Sequence, residues 1–141
     1  MLKRLFTLLA LITFTCGTAL ASVPRNSLDW VDAVPGLKVK SVDYDRDECS
    51  KEYYMKSETS YQVVVEGFMH RGWVVKHKTQ NYEAPNMPTV FMSKDDKKAK
   101  IHVDREHGRR GTYLELEVSI EDVFGDDDDY DDDFDDDDFD D

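Results

Sequence analysis

At 141 residues the chain has room for one domain with a single modest core. Its 31 Asp and Glu outnumber 18 Lys and Arg, a formal net charge of −13, so no nucleic acid is expected as a ligand, since phosphate binding calls for a cationic surface. No phosphate-binding glycine loop, dinucleotide fingerprint, G-x-S-x-G elbow or C-x-x-C pair occurs, so neither an enzyme nor a cofactor is expected.

Lys3 and Arg4 precede the apolar run LFTLLALITF and the small residues ending in ALAS, the three-part pattern of a secretory signal at residues 1–21, cleaved after Ala21. The ten-residue run falls short of the roughly 20 residues that span a bilayer. No integral membrane segment is therefore expected after cleavage, and the compartment is periplasmic or secreted. Cys16 admits a lipidated alternative, against which Thr13 and Thr15 depart from a bacterial lipobox. Only Cys49 survives cleavage, so no intrachain disulfide is expected, and its ordinary role is that of a small, partly buried apolar group.

Residues 22–36, with Pro24, Pro35 and Gly36, suggest an irregular lead-in on which Trp30 docks against the domain. From Leu37, LKVKSVDYD alternates enough to form a first strand, and its polarity places it at an edge. Tyr61, Val64, Val65, Phe68 and Met69 fall on one helical face, with Gln62, Glu66 and His70 opposite. Ser57 or Thr59 can cap this helix, Thr59 with Gln62 has capping-box spacing, and Gly72 stands where a helix stops. The three valines and Gly67 oppose it, and a start as early as Ser50 is compatible with the pattern.

From Trp73 the period changes to two. WVVKHKT, TVFMS, AKIHV and TYLELEVSI are separated by QNYEAPNMP, KDDKK and DREHGRRG, each rich in charge or turn formers. Residues 37–124 are thus expected to be a small α+β domain, one amphipathic helix packed on an antiparallel meander of four to five strands.

His70, His77, His102 and His107 lack metal-ligand spacing, so no defined metal site is expected. Alternation with Ile101 and Val103 turns His102 outward. Lys94, Lys97, Lys98, Lys100, Arg105, Arg109 and Arg110 form a basic concentration of net +3 over residues 94–110. Lys76 and Lys78 are expected to extend it from the face away from Trp73 and Val75. The plain alternative is a solvated strand edge whose lysines oppose aggregation.

The last sixteen residues hold 13 of the 31 Asp and Glu and none of the Lys and Arg, so the other 125 are balanced at 18 of each sign. Loss of Lys3 and Arg4 with the signal leaves that body at −2 and the whole exported chain at −15. Asp126, Asp127, Asp128 and Asp129 precede Tyr130. Asp131, Asp132 and Asp133 precede Phe134, and Asp135, Asp136, Asp137 and Asp138 precede Phe139. Asp140 and Asp141 close the chain. Such a segment cannot bury enough apolar surface to offset its ordering entropy, so residues 125–141 are expected to be a disordered tail.

The tail resembles the acidic, aromatic-bearing tails of single-stranded DNA-binding proteins, a likeness confined to the last sixteen residues that implies docking on partner proteins. The export signal points away from genome maintenance. No EF-hand spacing occurs, so any calcium binding would be weak and diffuse. The expected function is an exported binding module whose tail engages a cationic protein or peptide, the chain's own basic patch, or divalent cations in the cell envelope. A calcium-buffering or mineral-associated secreted protein is the alternative, and an inhibitor or immunity-like protein a further one.

Overall fold

The computed structural model describes residues 23–123. The expected signal (1–21) and acidic tail (125–141) lie outside the described residues.

Two helices and six strands follow in the order α1 (Asp29–Asp32), β1 (Leu37–Asp45), β2 (Glu48–Met55), α2 (Glu58–His70), β3 (Val74–Thr79), β4 (Thr89–Lys94), β5 (Lys97–Gly108) and β6 (Gly111–Asp122). All strand pairs are antiparallel, in the spatial order β1-β2-β6-β5-β4-β3. The described residues are therefore mostly β, with six strands where four to five were expected. The additional strand is β2, whose ECSKEYYM is too polar to announce itself. Its period of two emerges only in burial, with Cys49, Lys51, Tyr53 and Met55 inward. Ser50 lies in this strand, which rules out the earlier helix start.

β5 and β6 are each 12 residues long and meet through the two-residue turn Arg109–Arg110, where Gly111 takes a φ of 114°. The segment DREHGRRG, expected to be a loop, is mostly strand: cross-strand pairing with 111–115 supplies its backbone hydrogen bonds despite its charge.

Both edge strands carry a β-bulge, between Val39 and Ser41 in β1 and between Val75 and His77 in β3. Each inserts a lysine, Lys40 or Lys76, into the exposed rim. A bulge with a charge is an effective guard against edge-to-edge pairing.

α2 follows the apolar spacing that predicts it, with Tyr61, Val64 and Phe68 buried. Met69 is 53% exposed, however, and Ser60 is buried in its place, donating to the Pro35 carbonyl at 2.6 Å. The helix face is rotated because α1 and its Trp30 cover one flank. Ser57 occupies the N-cap without a side-chain hydrogen bond, and Thr59 lies inside the helix, so the capping box does not form. The C-terminus ends as expected at Gly72, φ 89°. Gly72 N donates to Met69 O and Trp73 N to Phe68 O, a Schellman motif completed by the Trp73–Phe68 ring contact at 5.4 Å.

The lead-in is part of the core. Val23, Leu28, Val31 and Val34 are buried with Cys49, Tyr53, Val64, Phe68, Ile101, Val103, Leu116 and Val118 on one side of the sheet. Each such side chain contributes about 1.5–3 kcal/mol when fully buried. Lys51, 6% exposed, fastens α1 to β2 through Asp32 at 2.9 Å and Asp29 at 3.2 Å, and Tyr53 donates to Asp32 at 2.7 Å. Among the described residues no helix is long and apolar enough to cross a membrane.

Candidate functional site

Strand alternation sorts the sheet into two faces. One meets the helices. The other is open, and its composition follows from the residues between the buried ones. β2 and β6 place Glu48, Glu52, Glu115, Glu117 and Glu121 there, and Asp43 and Asp45 of β1 stand opposite Ser50 and Glu48. β5 places Lys98 and Lys100 there, opposite Glu121 and Ser119. On β4 and β3, Phe91 and His77 stack with centroids 4.4 Å apart. The open face thus changes from carboxylate to lysine to aromatic across its width.

A groove of about 620 Å³ runs over this face, lined by Glu48, Glu117 and Glu121 on one side and Lys98, Lys100, Lys76, His77 and Phe91 on the other. Val123, the last described residue, lies on its wall. Burial first, then the charges of Glu121, Asp43, Asp45 and Glu117, raise the Glu48 carboxyl above its ordinary range. Crowding of like charge is the physical signature of this wall. Further along the same face Lys40 meets Glu115 at 2.6 Å and lies over the Tyr54 and Tyr113 rings. Burial raises Glu115, and Lys40 opposes that rise without cancelling it.

The basic concentration does not form one surface. Lys76, Lys97, Lys98 and Lys100 line the groove. The bulge at Lys76 shifts the alternation by one residue, so Lys78 falls opposite Val90 on the helix-covered side instead of sharing a face with Lys76. Lys94 donates to the Arg71 carbonyl at the end of α2, 2.6 Å away. The Arg105 backbone N–H and guanidinium both bond to Glu83. Arg109 and Arg110 occupy the β5–β6 turn, about 30 Å from Lys100 at some 3.3 Å per residue.

A second cavity of about 330 Å³ lies on the other side of the β4–β5 turn, between Trp30, Arg71, Trp73, Lys94, Lys97 and Ile120. Arg71 stacks over Trp30 at 3.9 Å, and Trp30 and Trp73 both meet Phe68 edge-on. Asp95 is its one acidic wall residue. This notch was not legible in the sequence, because its cations come from the C-terminal cap of α2, from β4 and from β5, and its indoles from α1 and from the residue after the α2 stop.

Other chemistry-bearing groups are occupied structurally. His102 bridges Thr89 Oγ1 at 2.6 Å and Asp104 at 2.8 Å on the open face, as its alternation requires, but Thr89 is buried and lines neither cavity. Cys49 is fully buried, its thiol held up by burial, with Sγ 3.8 Å from the Arg25 carbonyl. Among the described residues no three His, Cys, Asp or Glu gather to hold a metal ion. The β3–β4 loop presents Tyr82, 84% exposed, above a buried Asn81 whose amide donates to the Met87 and Val103 carbonyls.

Comparison with known proteins gives no match, whether against family models, curated proteins or solved structures.

Proposed function

We propose that this protein is an exported, non-catalytic binding module that recruits a cationic protein or peptide through its acidic, aromatic-studded tail. The observation that carries this reading is the position of Val123. Val123, the last described residue, lies on the wall where Glu48, Glu117 and Glu121 already crowd one another, and the sequence that follows it carries 13 aspartates over residues 126–141. A cationic partner relieves that crowding, and its encounter is accelerated by the field of wall and tail together. Tyr130, Phe134 and Phe139 supply the short-range contact, ring faces on which Lys or Arg can sit.

Calorimetry of residues 22–141 with a lysine- and arginine-rich peptide tests the reading. Binding is expected to weaken when Tyr130, Phe134 and Phe139 are changed together to Ser, and to weaken further with salt. Binding that ignores the aromatics and yields to millimolar calcium would favour the calcium-buffering alternative. A tight stoichiometric complex with an enzyme, lost on removal of the tail, would favour the inhibitor.

A further inference from the structure

Val123, the last described residue, stands between two surfaces of different charge balance. On the open face lies the groove, where the carboxylate wall of Glu48, Glu117 and Glu121, with Asp95, is matched by Lys76, Lys97, Lys98 and Lys100. On the other side of the β4–β5 turn lies the notch of Trp30, Arg71, Trp73, Lys94 and Lys97, with three cations against the single Asp95. Val123 is close to both: its N–H donates to Asp96 O in that turn at 2.9 Å, Asp122 stands opposite Lys97, and Ile120 lines the notch itself.

We propose that this notch is the intramolecular docking site of the acidic tail, occupied by residues 126–134 of the same chain. Three arguments fix the occupant. In the open-face groove Lys76, Lys97, Lys98 and Lys100 are balanced by Glu48, Asp95, Glu117 and Glu121, whereas the notch sets Arg71, Lys94 and Lys97 against Asp95 alone, so a run of aspartates is drawn to the notch. The chain is long enough, because Asp126 is three residues beyond Val123 and Tyr130 seven, a reach of roughly 23 Å at about 3.3 Å per residue. The aromatics also match: a half-buried indole on each flank offers a ring surface to Tyr130 or Phe134.

This deepens the proposed function and rests on that reading of the tail as the binding element. A docked tail cannot lie on a cationic partner at the same time, so the notch lowers the apparent affinity by the fraction of tail it holds. The partner must compete the tail away, and the module is selective for partners more cationic than its own notch.

The chain contains two tryptophans, and both line the notch, so tryptophan fluorescence, excited beyond the tyrosine absorption band, reports on it alone. In residues 22–141 at low salt, acrylamide quenching is expected to be weaker than in a variant with Tyr130→Ser, Phe134→Ser and Asp126 to Asp129 changed to Asn. The two should coincide near 1 M salt, where the Debye length is about 3 Å. Zero-length carbodiimide cross-linking should join tail carboxylates to Lys94 and Lys97 within one chain. Equal quenching at low salt, cross-links mainly to Lys76, Lys98 and Lys100, or cross-links mainly between isotopically distinct chains would each overturn the proposal.

Titration with the basic peptide separates the two readings. Peptide binding without a change in quenching overturns the notch and leaves recruitment standing. Protected tryptophans that no peptide releases leave the notch standing and overturn recruitment.

Discussion

The Trp30 indole lies against the backbone of Gly67, so close that a Cβ at that position would sit 2.4 Å from the Cζ3 of the ring. A glycine that looks like a defect in α2 is thus the surface on which α1 docks. Gly67→Ala is expected to destabilise the protein, because overpacking costs about 1–3 kcal/mol while the gain in helix propensity is at most about 1 kcal/mol. In a Trp30→Leu background the same change should become neutral or stabilising. Urea unfolding of the four proteins of this cycle measures the reversal, and a Gly67→Ala cost that persists without the indole would refute it.

The Lys51 network gives an alkaline signature. Burial alone would lower the Lys51 ammonium, but its hydrogen bonds to Asp32 and Asp29 outweigh burial and hold it above its ordinary 10.5. Burial, then Asp32, raises the Tyr53 phenol above 10.0, and burial with Glu58 pushes Tyr61 up to about 12. In each case the folded state keeps its proton longer than the unfolded chain. Their contribution is complete at neutral pH and is lost as pH rises beyond about 10. Tyr53→Phe should flatten the fall in Tm between pH 10 and 12, at a cost of about 1 kcal/mol at pH 7 for the lost hydrogen bond.

Removal of Asn81 should be among the costlier polar changes. Its amide donates to Met87 and Val103, at 3.1 and 2.7 Å, and its carbonyl accepts from the N–H groups of Glu83 and Ala84. Asn81→Ala leaves buried backbone groups unpaired, at about 1–3 kcal/mol. The loop around Tyr82 should then become a protease site under conditions where the native loop resists cleavage, which limited chymotrypsin digestion would reveal.

Glu48→Gln is expected to stabilise the protein at neutral pH. A carboxyl raised above 4.5 by burial and by neighbouring carboxylates takes up its proton first in the folded state, so its penalty is absent below about pH 4.5 and complete above the raised value. The gain should stay below about 1 kcal/mol because Glu48 is exposed and screened. It should vanish at pH 4 and shrink with salt. A variant less stable at pH 7, or equally stabilised at both pH values, would contradict the crowded-wall description.

Local pattern determined α2, its stop at Gly72, the polar edge strand β1 and the alternation of Leu114, Leu116, Val118 and Ile120, because each depends on residues a few positions apart. The charge imbalance of the C-terminal segment is likewise a property of composition. The tertiary structure decided what depends on distant pairing. Lys51 would mark β2 as polar until Asp29 and Asp32 fold over it, and Gly67 would oppose a helix until Trp30 rests there. A one-residue bulge at Lys76 parts it from Lys78, and strand order alone brings Glu48 beside Glu121. The notch beside the chain exit unites α1, α2 and the β4–β5 turn across more than 60 residues of sequence. Periodicity reports which face of one element is apolar, while register and crossing determine which charges that face will meet.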